Sequence, residues 1–229
     1  MVAIAHLAHQ KGWKFRYYLK TLPKWLKDTP TGNFAKAIEL GMQYEEILHA
    51  DYDEYIKNLE VSEGEIIIPQ GGAANIAKEG IEKLSQEILK WKKLSGVETF
   101  YVATPSGTGT TAFFLAQTLQ STATVLTTPL VSDAIYLKEQ WSRLEKKNDY
   151  LPKIIETKKK YNFAKPDYDF LKIWQELQNS GLEFDLIYAP KMWLALIENQ
   201  FIDANLLYIH SGGISGNSSQ LQRYELKNS

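Results

Sequence analysis

Near the middle of the chain, Ser106-Gly-Thr-Gly-Thr-Thr111 sets two glycines among four hydroxyl side chains. Glycine lets a backbone approach an anion closely. A helix starting behind it adds free N–H groups and the positive end of its dipole. β-prone residues (Thr99–Ala103) precede the run, and a helical pattern from Thr110 to Leu119 follows it. Gly107, Thr108, Gly109, Thr110 and Thr111 therefore read as a cup for phosphate. No lysine follows the glycines, so the run is not the loop that cradles nucleoside triphosphates. Gly107-x-Gly109-x-x-Ala112 fits the loose dinucleotide fingerprint. The next strand, however, ends Leu126-Thr-Thr-Pro129, with no acid before Asp133 to hold a ribose. The competing reading is a glycine turn that only packs helix on strand.

Other reactive side chains are few. There is no cysteine, which excludes disulfides, thiolate catalysis and cysteine-ligated metal centres. His6 and His9 share a helix face, but no third ligand accompanies them, so no metal site is expected. Lys191 reads as an exposed lysine at a helix start, and His210 as structural. The lysine runs (Lys92-Lys93, Lys146-Lys147, Lys158–Lys160) read as solvated faces. With 26 Lys and Arg against 27 Asp and Glu, the net charge of −1 gives no pull toward nucleic acid or an anionic membrane. No apolar run has the length of a membrane span. The start, Met1-Val-Ala-Ile-Ala-His-Leu-Ala-His, lacks the basic region of a signal peptide, which makes the cytoplasm the expected location.

The elements that must position the cup alternate in type. The reading places helices over residues 1–11, 34–40, 52–59, 73–94, 110–119, 131–146, 168–179 and 192–198. Strands are expected over 13–19, 44–48, 65–69, 99–103, 123–127, 153–156 and 206–210. Such alternation predicts an α/β protein: a twisted, mostly parallel sheet with helices on both faces. The polar stretch Glu60-Val-Ser-Glu-Gly64 suggests a boundary between a small α/β domain, 1–60, and a larger domain, 61–229. Opening on an apolar helix leaves the first βα unit incomplete, so a preceding N-terminal segment is expected.

Several stretches carry a resemblance. Ile66-Ile-Ile-Pro-Gln-Gly-Gly-Ala-Ala-Asn75 resembles the "PEGGSN" segment of the 1-aminocyclopropane-1-carboxylate deaminase / D-cysteine desulfhydrase family. Asp185-Leu-Ile-Tyr-Ala-Pro-Lys191 resembles its "DxVYxGK", and Leu206-Leu-Tyr-Ile-His-Ser-Gly-Gly213 its "LFIHTGG". Gly32-Asn33 through Gly41 is similar to "GNlxLaxxxG", and Ser106–Thr111 to the family's phosphate loop. These motifs occur in family order along the chain. The resemblance implies a tryptophan synthase β-like fold, pyridoxal 5'-phosphate as cofactor, and a small amino acid as substrate, converted to ammonia and a 2-oxo acid. A homodimer with no nucleic-acid or membrane partner is expected.

The resemblance also implies roles. Gly107–Thr111 would hold the cofactor phosphate. Ser211 would offer a hydroxyl to the pyridine nitrogen, or else be a turn serine before Gly212-Gly213. Tyr188 would assist catalysis, or else be a core aromatic closing an apolar strand. Two departures stand out: Gln70 replaces the motif glutamate, and Ala189 stands where relatives carry glutamate or threonine. The family's Schiff-base lysine lies in a "GNKxRKL" helix followed by a "GGxQSNH" loop. Residues 1–10 resemble the helix after that loop, and Lys11, Lys14 and Lys20 match no such motif. On that alignment the chain begins beyond both elements, and a shortened enzyme is one expectation. A non-catalytic descendant that only binds a phosphate-bearing ligand is the other.

Overall fold

The computed structural model describes residues 1–145 and 149–228, and the chain divides into two compact units, Met1–Ile67 and Ile68–Ser229. The Lys146-Lys147 pair, expected on a solvated face, lies outside the described residues.

The first unit is a small parallel α/β arrangement. Helix α1 (Val2–Lys11) ends at Gly12, whose φ of 67° suits glycine. Strand β1 (Phe15–Lys20) pairs in parallel with β2 (Met42–Ile47), from Phe15 opposite Met42 to Lys20 opposite Ile47. The crossover carries α2 (Lys24–Asp28) and α3 (Gly32–Glu39), and α4 (Tyr52–Lys57) follows. Ala5, Phe34, Ala37 and Met42 form its core, with Phe15, Tyr17 and Leu26 packed against them.

The second unit opens differently from expectation. Residues 65–69 form no strand: Ile66, Ile67 and Ile68 are exposed, and a 3-10 turn, Gln70–Gly72, comes next. An apolar triplet has β propensity, but a strand needs a hydrogen-bonding partner, and none pairs with it among the described residues. Helix α5 (Ala77–Ser95) starts four residues later than expected, because residues 73–76 run through tight turns in which Ala74 N–H donates to Gly72 O and Ala77 N–H to Ala74 O.

Strands β3 (Tyr101–Ala103), β4 (Thr124–Thr127), β5 (Lys153–Ile154) and β6 (Leu206–Tyr208) then make one all-parallel sheet in the order β5-β4-β3-β6. Helix α6 (Thr110–Leu119) connects β3 to β4, and α7 (Ala134–Leu144) connects β4 to β5. Helices α8 (Tyr168–Asn179) and α9 (Ala189–Glu198) connect β5 to β6, and α10 (Asn217–Asn228) closes the chain.

Side-chain alternation along the strands builds two cores. Val102 and Val125 face α5 and α6, where Ile88, Ala112, Leu115 and Leu119 meet them. Ala103 and Leu126 face α9, where Met192, Ala195 and Leu196 pack. A sheet buried on both faces explains why the strands read as continuous apolar runs. Among the described residues, no helix is long and apolar enough to cross a membrane.

Candidate functional site

In strand order β5-β4-β3-β6 the chain winds from β3 out to β5, then returns to the other side of β3 at β6. The order therefore reverses between β3 and β6. Open parallel sheets bind ligands outside the strand carboxyl ends at such a reversal. The 106–111 loop leaves β3 there, and Ser211 follows β6, whose register with β3 runs from Tyr101 opposite Leu206 to Ala103 opposite Tyr208. Two of the sequence-predicted groups thus emerge from neighbouring strands at one edge.

The loop is held from below and open above. Ser106 N–H donates to Thr128 O, and Leu130 N–H donates to Ser106 O at 2.9 Å. The Ser106 and Thr127 hydroxyls pair at 2.6 Å, and Thr127 also donates to Thr104 O. The Trp141 indole donates to Gly109 O at 3.1 Å. Gly109 is required there: its φ is 78°, and a β-carbon would run into the Trp141 indole nitrogen. Gly71 likewise approaches closely, since a β-carbon would lie 2.7 Å from Thr108 Cγ2. Among the described residues, the N–H groups of Gly107 to Ala112 have no protein acceptor. The Ser106 and Gly109 carbonyls and the Ser106 and Thr127 hydroxyls are thus committed, while the donors that could receive an anion are free.

Tyr188 ends no strand. It lies at the entry to α9, with its ring edge-on to Phe163 at 5.9 Å. Burial, with the Asp185 charge adding a smaller effect, pushes its phenol above the ordinary value. Ser211 is exposed, and its hydroxyl makes no turn hydrogen bond among the described residues.

Lys191 is not the exposed lysine that the sequence suggests. It is buried, and its Nζ donates to Pro129 O at 2.6 Å. Two of its α9 neighbours, Met192 and Ala195, pack into the core, which draws the first turn of the helix inward. Burial lowers its pKa; Glu156 acts in the opposite sense and Lys160 adds to the lowering.

Asp185 has a role that its part in the motif did not reveal. Its buried carboxylate accepts the N–H groups of Ile187, Tyr188 and Ala189, and it faces His210 Nε2 at 3.8 Å. Gly212 packs so closely on this carboxylate that no side chain fits. One acid therefore caps the start of α9 and fixes the turn after β6, joining the segments that carry Tyr188 and Ser211. The available signal was an acid just ahead of a Pro-containing helix start, at Ala189-Pro190.

No family model and no curated protein matches this chain. Among solved structures it superposes on an ACC deaminase homologue with a TM-score of 0.73 at 18% identity, over 97% of this chain and 74% of that one. The fold is tryptophan synthase β-like. A hydrogen sulfide-producing enzyme from Fusobacterium nucleatum shares it (TM-score 0.58, 13% identity, 92% and 74% covered). So does diaminopropionate ammonia lyase from Escherichia coli (0.57, 12%, 99% and 66%). Within the tryptophan synthase β-like sheet of this chain, the cup and Ser211 occupy the strand-order reversal described above.

Proposed function

We propose that this fold serves pyridoxal-phosphate-dependent deamination or desulfhydration of a small amino acid, of the 1-aminocyclopropane-1-carboxylate or D-cysteine kind. Residues 1–229 would contribute the parts that hold the cofactor. One observation carries the reading: a cup of unpartnered N–H groups at the strand-order reversal, with a free hydroxyl following the adjacent strand. Gly107–Thr111 would hold the phosphate, and Ser211 would meet the pyridine nitrogen. The fit is good. The loop donors are free, the Ser106 and Gly109 carbonyls are committed, and Gly71 and Gly109 keep side chains out of the space around it. Pyridoxal phosphate, when bound, supplies an electron sink next to a substrate amino group.

The chain's own groups set the terms of that chemistry. A serine hydroxyl at the pyridine nitrogen leaves it unprotonated, a weaker sink than a carboxylate partner would make. Tyr188, like any phenol, carries its proton at neutral pH, and burial raises its pKa further, so its role in the proposed reaction would be that of a hydrogen-bond or proton donor. Asp185 does not act on substrate; it orients the Tyr188 and Ser211 segments.

A second reading, a binder of phosphate-bearing ligands without catalysis, is favoured by one observation: no lysine of residues 1–229 stands in the family's lysine motif. A paired experiment separates the two. Affinity for pyridoxal phosphate is compared with affinity for pyridoxal, and the complex is then reduced with borohydride and mapped. Phosphate-dependent binding, one modified lysine and ammonia release from a small amino acid support the enzyme. Phosphate-dependent binding with no modified lysine supports the binder. Equal affinity for the two ligands refutes both.

A further inference from the structure

The cup contains no basic side chain between Thr104 and Phe113. The loop N–H groups and the helix dipole are the cup's own donors, so any full positive charge acting on a bound dianion comes from outside the loop. The buried amine of Lys191 is the candidate. Among the described residues it has no carboxylate within salt-bridge distance, and its partner is the Pro129 carbonyl. It also stands in the first turn of α9, where a cation is unfavourable against the helix dipole. A buried cation placed against a positive helix end, with Glu156 acting on it only from beyond salt-bridge distance, is incompletely compensated among the described residues.

Hydrogen bonds connect this amine to the cup. Lys191 Nζ donates to Pro129 O at 2.6 Å. The other end of that peptide group, Leu130 N–H, donates to Ser106 O at 2.9 Å. The other end of the Ser106 peptide is the N–H of Gly107, the first open donor of the loop. Both peptides are trans, so in each the C=O and N–H point in opposite directions. The ammonium, two peptide groups and the open Gly107 N–H therefore form one polarised row. Such rows strengthen the terminal donor cooperatively.

We infer that Lys191 is the positioning and charge-supplying residue for the phosphate cup, polarising the Gly107 N–H through the Pro129–Leu130 and Ser106–Gly107 peptides and so selecting dianionic phosphate. The inference rests on the cup assignment proposed above. The groups whose charges act on Lys191 are Glu156, after β5, which favours the ammonium, and Lys160, which opposes it. A dianion at the cup adds an attraction on the same side as Glu156, so phosphate binding takes up a proton at alkaline pH.

The test uses the full chain with inorganic phosphate, read by amide shifts at 107–112, and the Lys191 side-chain nitrogen signal, assigned through its side-chain correlations to the Lys191 backbone in the wild type. In the wild type, phosphate should raise the Lys191 titration midpoint, and affinity should fall as pH rises through that midpoint. K191M should bind phosphate roughly three- to tenfold more weakly and lose this alkaline fall. K191R, always charged, should bind within about twofold of wild type and also lose it. A midpoint unmoved by phosphate, or K191M binding like wild type, overturns the inference and leaves the cup intact. If wild-type phosphate shifts no amide in 107–112, the cup itself is wrong and the inference falls with it. The wild-type titration decides the question even if the variants do not fold.

Discussion

Replacing Gly109 with alanine tests whether the loop geometry is as tightly determined as its contacts require. At φ 78° an alanine adopts a left-handed conformation, costing about 1–2 kcal/mol. Its methyl would overlap the Trp141 indole nitrogen and lie 3.2 Å from Leu137 Cδ2, both in a buried cluster with Phe113 and Leu144. Overpacking of this kind costs about 1–3 kcal/mol. Displacing the indole also weakens its bond to Gly109 O, about 1 kcal/mol more. The total for G109A is about 3–6 kcal/mol if the loop stays in place. If the loop moves instead, the stability cost shrinks and phosphate affinity falls. Urea denaturation and phosphate titration on the same preparation distinguish these routes, and W141F supplies a cycle, since G109A should cost less in its background. A loss under about 1 kcal/mol with unchanged phosphate affinity would refute the steric argument.

T127V removes the hydroxyl that bonds Thr104 O and Ser106, leaving buried polar atoms unpaired; chemical denaturation should show a loss of about 2–3 kcal/mol. D185A strips three N–H groups of their acceptor and frees Gly212. Its thermal midpoint should fall, and hydrogen exchange at 187–189 and 210–213 should speed up together, whereas exchange confined to one segment would contradict the shared anchor. The phenols of Tyr161 and Tyr208 are pushed well above their ordinary value, chiefly by burial. Above pH 10 the unfolded chain therefore releases phenolic protons that the folded chain keeps, and stability should fall as pH rises, opposed by the lowered Lys191. A denaturation midpoint flat from pH 9 to 11 would contradict this.

The cup was legible because its signal is local: two glycines, hydroxyls and a following helix within a few residues. The parallel sheet was legible from alternation, and α6 and α8 took the bounds that their apolar spacing gives. Features set by distant contacts were not legible. Ile66–Ile68 has the composition of a strand but no partner, and α10, rich in Asn, Ser and Gln, is tied to the rest of its unit by buried Gln220 and Tyr224, which reach Ala164 and Asp167. Lys191 looked exposed because lysine usually is; nothing nearby announces the Pro129 carbonyl 62 residues away. The place of Asp185 depends on Gly212, which only the fold brings beside it.

The central claim is that the loop after β3 holds the phosphate of a pyridoxal cofactor whose ring reaches Ser211. A proton–nitrogen correlation spectrum of the full chain, titrated with pyridoxal 5'-phosphate and separately with inorganic phosphate, tests it most directly. Both ligands should shift the amides of Gly107 to Ala112, and only the cofactor should also shift Ser211 to Gly213. Cofactor-induced shifts that leave both segments unmoved would contradict the account.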